Sequence, residues 1–359
     1  MKHESVKCRE LISKFYTFLS CSFSSWSVLG IIFLNILPAM TYGCSPAIVP
    51  DTASRTATTL SITKSPHTAM QTLDIFVFRD DETRLLDCYQ RVEQPEKWDG
   101  RIMSSAGNRI IHICANSRTG KGEWPLIRSM HSLEKISFNL EDESRENPVM
   151  TGEAKIPASG PDFMYPGLPY TEIPMSPLTC EIVLRSLICD FKGRPYDGER
   201  ITDAKVYLTN VNATRRLYSA EGSMPERIIN AGFLNRYDLA KFRDSSLIIK
   251  HIDKSIGKEG IQEDIRLYCY PNMAEEDSPG TPVTRMVIEG KVSGKTYYWP
   301  IDISRGPGNG ISGGKSYIFD VRITRKGTTD PDIPVRTEEV NITFEEESWI
   351  EKEGYTVGF

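Results

Sequence analysis

The chain has few of the side chains that do chemistry. It carries five histidines in 359 residues, and His3 lies in a segment with the look of an export signal. Neither H-E-x-x-H nor the phosphate-cradling G-x-x-x-x-G-K-[ST] occurs, so zinc-protease and P-loop chemistry are not indicated. The eight cysteines include no C-x2-C pair, the usual spacing of a structural zinc site. Basic residues are outnumbered, 43 against 48 acidic, giving a formal net charge of −5. That balance argues against nucleic acid as a partner, because such binding needs a basic face. No enzyme activity, cofactor or metal is expected from these residues.

What the chain does have begins at its N-terminus. Lys2, Lys7, Arg9 and Lys14 precede an apolar run over residues 26–40. A membrane-spanning helix needs about 20 apolar residues, and this run is shorter and contains Asn35 and Pro38. The pattern predicts a secretory signal peptide. The run ends at Gly43-Cys44, which suggests a lipoprotein signal, with residues 1–43 removed and the Cys44 thiol acylated. Residues 44–57, rich in Ser, Thr, Ala and Pro, read as a tether.

Beyond the tether the dominant signal is short apolar alternation broken by Gly and Pro. Thr58, Leu60 and Ile62 share the two-residue period of a strand, which places a first strand at residues 58–63. Further strands are predicted at residues 73–78, 85–92, 109–115, 180–191, 204–211, 265–269, 284–292, 295–301, 317–324 and 339–344. Helical periods are few: Trp124, Ile127, His131 and Leu133 allow a short one, followed by a strand pattern at residues 136–140, and another lies near residues 235–242. This predicts an all-β chain of β-sandwiches. The Pro- and Gly-rich residues 157–177 mark a boundary between two domains, 58–177 and 178–359.

Several residues invite a functional reading beside a plainer one. His112 alternates with Ile111 and Ile113 and is expected on the opposite face, at the surface or hydrogen-bonded. Glu345, Glu346 and Glu347 suggest a cation site, or more plainly a solvated strand end. The glycine-rich residues 306–314 lie between two strand patterns and open no helix, so they read as a loop and not an anion site. Trp98, Trp124, Tyr297, Tyr298 and Trp299 could stack on sugars, which raises a secreted glycan- or host-binding lipoprotein as the alternative function. The plainer reading puts Tyr297 and Trp299 on one strand face, in the core. Cys114 and Cys189 sit in apolar runs as small buried side chains. One disulfide is possible, with its partners left open.

Taken in order, the motifs resemble those of the Bacteroidetes fimbrillins, the lipoprotein-derived subunits of type V pili, and their anchor and tip proteins. Leu73-Asp74-Ile75-Phe76-Val77-Phe78 is similar to that family's first core strand. Ser105-Ala106-Gly107-Asn108-Arg109 leads into Ile110-Ile111-His112-Ile113-Cys114-Ala115-Asn116 in the manner of its "AG-x-R … A-N" strand. Val149-Met150-Thr151-Gly152-Glu153, Leu184-Arg185-Ser186-Leu187-Ile188-Cys189, residues 315–327, and Val340-Asn341-Ile342-Thr343-Phe344 before Trp349 follow in the family's order. The resemblance implies two transthyretin-like β-sandwich domains in tandem and a place in a fimbria at the outer membrane. Its partners would be other fimbrial subunits, assembled by donor-strand exchange. It also implies proteolytic removal of the first strand in stalk subunits. Between residues 58–63 and Leu73 the only basic residue is Lys64, while Arg55 precedes the expected strand, so Lys64 and Arg55 are the candidate maturation sites.

Overall fold

The computed structural model describes residues 55–64, 69–117, 124–157, 170–218, 225–274, 282–303, 310–333, 340–348 and 355–357. All of them belong to the unit Ala53–Phe359. In chain order the first strands are β1 (Arg55–Lys64), β2 (Leu73–Arg79), β3 (Leu86–Val92), β4 (Arg101–Ser105), β5 (Arg109–Ala115), β6 (Ser137–Asn139), β7 (Met150–Ile156), β8 (Tyr170–Pro174) and β9 (Ser176–Pro177). They are followed by β10 (Cys180–Cys189), β11 (Thr202–Thr209), β12 (Val211–Asn212), β13 (Thr214–Arg216), β14 (Ile228–Ile229), β15 (Ile249–Ile252) and β16 (Ile265–Cys269). The last are β17 (Arg285–Val292), β18 (Lys295–Asp302), β19 (Lys315–Ile323), β20 (Val340–Ser348) and β21 (Tyr355–Val357). The chain is all-β, as its alternation predicts. The two α-helices among the described residues, Met130–Leu133 and Arg236–Leu239, are single turns capped by Ser129 and Asn235.

In the first half, a five-stranded sheet in the order β3-β2-β5-β7-β9 faces a smaller sheet of β1, β4, β8 and β21. Period-two alternation sends Leu73, Ile75 and Val77 of β2 and Ile111, Ile113 and Ala115 of β5 into the core between them. The opposite face of β2 and β5 is also covered. Phe76, Phe78 and Cys114 join Trp124, Ile127, Leu133 and Leu140 in a second buried cluster. That cluster runs on into the second half, where sheet β16-β10-β19-β20 and sheet β15-β11-β17-β18 enclose Leu184, Val206, Ile288, Trp299 and Phe319. Residues on both sides of position 177 thus share one apolar core.

Burial on both faces corrects the expectation for His112. It does point away from Ile111 and Ile113, but into the second cluster, and is fully buried. Its ring meets Tyr218 edge-on at 4.3 Å and neither ring nitrogen has a hydrogen-bond partner. Glu153 Oε2 lies 3.6 Å from Nδ1. Burial, assisted by the Arg84 charge, pulls the His112 pKa down to about 4. Asp74, on the same face, is buried too but is satisfied: Tyr89 O–H donates to it at 2.8 Å and Arg91 Nη1 at 2.9 Å to each oxygen.

Two further polar residues, Asn116 of the β5 motif and Glu143 ahead of β7, acquire a physical reason. Asn116 directly follows β5 with φ +59°, a left-handed conformation that Asn tolerates better than most residues. Its side chain accepts from Gln71 N–H at 2.8 Å and donates to Ala69 and Pro148 carbonyls at 2.8 and 2.9 Å, holding three chain segments together. Glu143, buried, accepts from Val149 N–H at 3.1 Å and from Tyr270 O–H at 2.8 Å, so it links the start of β7 to the second half. Burial pushes its pKa up to about 7 against those hydrogen bonds.

These two groups give stability opposite slopes with pH. Unfolded His112 takes up a proton near 6.5, folded His112 only near 4, so its contribution is lost as pH falls through that window. Folded Glu143 keeps its proton to about 7, whereas the unfolded side chain loses it near 4.5, so its contribution is lost as pH rises. We expect His112→Phe to gain stability relative to the parent as pH falls from 6.5 to 4, by up to about 3 kcal/mol. Urea titrations at four or five pH values measure it, and a difference independent of pH would refute it.

Candidate functional site

The candidate site is β1, the first described strand, and the slot that holds it. Its sequence, Arg-Thr-Ala-Thr-Thr-Leu-Ser-Ile-Thr-Lys, is rich in β-branched residues and suits extended backbone. Thr58, Leu60 and Ile62 are buried on one face, with Leu60 and Ile62 in the core shared with β2 and β5. Full burial of two such side chains is worth roughly 1.5–3 kcal/mol each. Ser61, on the other face, is buried as well.

Both edges of β1 are occupied. β4 runs antiparallel beside Arg55 to Thr59, and Leu60 N–H donates to Gly100 O at 2.8 Å. β8 runs parallel beside Thr59 to Thr63, and Thr63 O accepts from Met175 N–H at 2.7 Å. Leu60 and Thr63 are an odd number of residues apart, so these bonds leave from opposite edges of the strand. β21, near the C-terminus, pairs antiparallel with Ile62 to Lys64.

Each wall of the slot is fixed by residues of the motifs. Behind β4, Gly107 takes φ +117° and lets the chain turn into β5. The Arg109 side chain folds back over that turn. Its guanidinium donates to the Asn108 carbonyl at 2.7 Å, and also to Ala106 O and Ser105 Oγ. Asp87 completes the clamp: its carboxylate accepts from Ser105 N–H at 2.7 Å and lies 3.4 Å from Arg109 Nε. At the β8 wall, Gly152 of β7 lies so close to Ile173, Pro174 and Met175 that a β-carbon there would sit 2.7–2.8 Å from all three. Glycine at this position is a packing requirement.

Cys44 lies outside the described residues. Arg55 and Lys64 are the first and last residues of β1. Arg55 therefore does not precede the strand, as expected from the alternation, but opens it, because β4 extends the pairing to Ser105. Sequence reading missed β4 and β8, two of the four strands in this sheet, and left residues 354–359, which contain β21, open between a strand and an irregular end. β4 and β8 each offer one buried apolar side chain, Ile102 and Ile173, too little for a visible period. β8 falls in the stretch read as a Pro- and Gly-rich boundary.

The other candidates lead away from ligand chemistry. Trp98, Trp124 and Trp299 are buried, which removes them as sugar platforms, and Trp299 Nε1 donates to Arg325 O at 3.1 Å. Tyr297 and Tyr298 are half-buried. Glu345 and Glu346 of β20 pair with Arg185 at 3.1 Å and Lys315 at 2.6 Å. Gly310-Ile311-Ser312-Gly313-Gly314 spells G-x-S-x-G, yet it leads into strand β19 and not into the helix that a nucleophile elbow opens. Among the described residues no group of three or more His, Cys, Asp or Glu side chains could hold a metal ion.

No protein-family profile matches the sequence, and no curated protein sequence matches it. Solved structures do. A candidate cell adhesion protein of Bacteroides eggerthii superimposes with a TM-score of 0.58 at 17% identity, over 84% of this chain and 97% of that one. A fimbrilin of Porphyromonas gingivalis gives 0.54 at 12% identity, over 82% and 98%. The chain has the fimbrillin fold. The tip fimbrial protein Mfa3 of P. gingivalis, with a C-terminal truncation, shares it at a TM-score of 0.51 and 10% identity, over 82% and 100%.

Within this fimbrillin fold the slot sets two expectations. Leu60→Ala should cost about 2–5 kcal/mol, while Thr59→Ala, half-buried and one residue away, should stay within about 0.5 kcal/mol. Gly152→Val should cost about 1–3 kcal/mol by displacing β8. Urea unfolding of the three variants measures all of these, and equal effects of Leu60→Ala and Thr59→Ala would show that β1 is not a core strand.

Proposed function

We propose that this chain is a structural subunit of a cell-surface fimbria. It is exported as a lipoprotein acylated at Cys44 and held at the outer membrane by that lipid until it is processed or assembled. The residues on either side of position 177 act as two β-sandwich domains in tandem. The observation that carries the reading is the state of β1: an N-terminal strand, joined to the predicted tether, buried on its core face and hydrogen-bonded along both edges. Removing it would leave an apolar groove and two rows of unpaired backbone groups, a deficit that another strand satisfies. The shared fold with fimbrial and cell-adhesion structures supports the same reading.

The chain's basic residues frame the exchange. A cut after Lys64 would free the whole of β1, since Lys64 is its last residue. A cut after Arg55 would release the lipid and leave all of β1 but its first residue. Lys64 is therefore the maturation site of a polymerising subunit, and an uncut chain is an anchor. The partners are other fimbrial subunits whose strands enter the vacated slot.

The test is the intact mass and N-terminal sequence of the protein from the outer membrane and from sheared surface filaments. A filament species starting at Ser65 is the expected result for a stalk subunit, and Lys64→Ala should abolish it. A species starting at acylated Cys44, confined to the membrane at the filament base, identifies an anchor. Recovery of the chain in neither fraction would overturn the fimbrial reading.

A further inference from the structure

Cys180, the first residue of β10, and Cys269, the last of β16, are register partners in an antiparallel pair. Their sulfur atoms are 3.3 Å apart, and both side chains are fully buried. Directly opposed residues in antiparallel strands have α-carbons about 4.5–5.5 Å apart, inside the roughly 4.4–6.8 Å that a disulfide spans. The remaining described cysteines have no such neighbour. Cys189 stands at the far end of β10, about 30 Å from Cys180 along the strand. Cys88 on β3 and Cys114 on β5 are separated by the intervening strand β2 and face positions three residues apart on it, Val77 and Asp74, which puts them about 14 Å apart.

We propose that Cys180 and Cys269 form a disulfide that ties the edge strand β16 to the inner strand β10. The bond forms by thiol–disulfide exchange with a small-molecule or protein disulfide. One cysteine thiolate attacks that disulfide, forming a mixed disulfide and expelling one thiol. The second cysteine thiolate then displaces the other. Two protons and two electrons leave the cysteine pair, and the oxidant ends as two thiols.

The surroundings decide when this happens. The hydrogen bond to Cys180, together with burial, pushes the Cys269 thiol well up, and both side chains are fully buried between the docked strands, out of reach of a dissolved disulfide. Exchange belongs to the open chain, before β16 closes onto β10. The folded, reduced protein therefore resists the same oxidant. Export, as proposed above, supplies an oxidising compartment, but the geometry and its test stand without it.

The experiment is to reduce and unfold the full chain, then refold it either with oxidised glutathione or with dithiothreitol. Alkylation under denaturing conditions and peptide mapping follow. The expected result is a Cys180–Cys269 cross-linked peptide, lighter by two hydrogen atoms than the reduced pair, only in the glutathione arm. The cross-linked protein should melt about 5–10 °C above the reduced one. That gain should vanish in Cys269→Ala, and the same oxidant added to folded, reduced protein should produce the bond far more slowly. Complete alkylation of both cysteines after oxidative refolding, or linkage of either to another cysteine, overturns the proposal; the peptide map decides this on the unsubstituted chain, even if the variant fails to fold.

Discussion

The backbone of β1 needs partners on both sides, and much of the first half is arranged to provide them. β1 is buried on its core face and at Ser61 on the other, and its amide and carbonyl groups are met by a strand along each edge. β4 and β8 are those strands, and each is fixed by something more distant in sequence. Arg109 and Asp87 clamp the turn behind β4. A bare glycine on β7 lets the end of β8 pack close. The motif residues that looked like isolated landmarks in the sequence are thus the supports of one slot.

The central sheet explains the polar residues inside it. Because β2 and β5 are covered on both faces, alternation no longer separates core from solvent; it separates one core from another. Asp74 and His112 fall on the face shared with the second half. The first is matched by Arg91 and Tyr89; the second meets the rings of Phe78 and Tyr218, with Glu153 Oε2 3.6 Å from Nδ1 and no hydrogen bond to either nitrogen. A charged residue that finds partners there is tolerated; a histidine that finds none stays neutral.

Strand alternation alone located most of the ladder. β5 and β16 were read to the residue, and β2, β3, β10, β17, β18, β19 and β20 to within a few positions, since each carries several apolar side chains at period two. The short β6 was read too, at residues 136–140, whereas β4 and β8 were invisible for a common reason. β4 and β8 exist because β1 lies between them, and pairing across 40 to 110 residues leaves no trace in a local window. His112 was placed on the correct face, but the solvent assumed to lie beyond that face was protein. The opposition of Cys180 and Cys269 was equally hidden, because register between distant strands is a property of the fold and not of spacing.

One feature of the slot bears on how subunits would add to one another. β1 has antiparallel neighbours in β4 and β21 and a parallel one in β8. A strand laid in the same place but reversed would turn both antiparallel pairings parallel and the parallel one antiparallel. Antiparallel pairing is slightly the more stable per residue, so the ladder itself favours the heading of β1, and the fit of the groove to Leu60 and Ile62 adds to that preference. In a polymer built on this slot, the arrow of growth would be set by main chain and side-chain volume together.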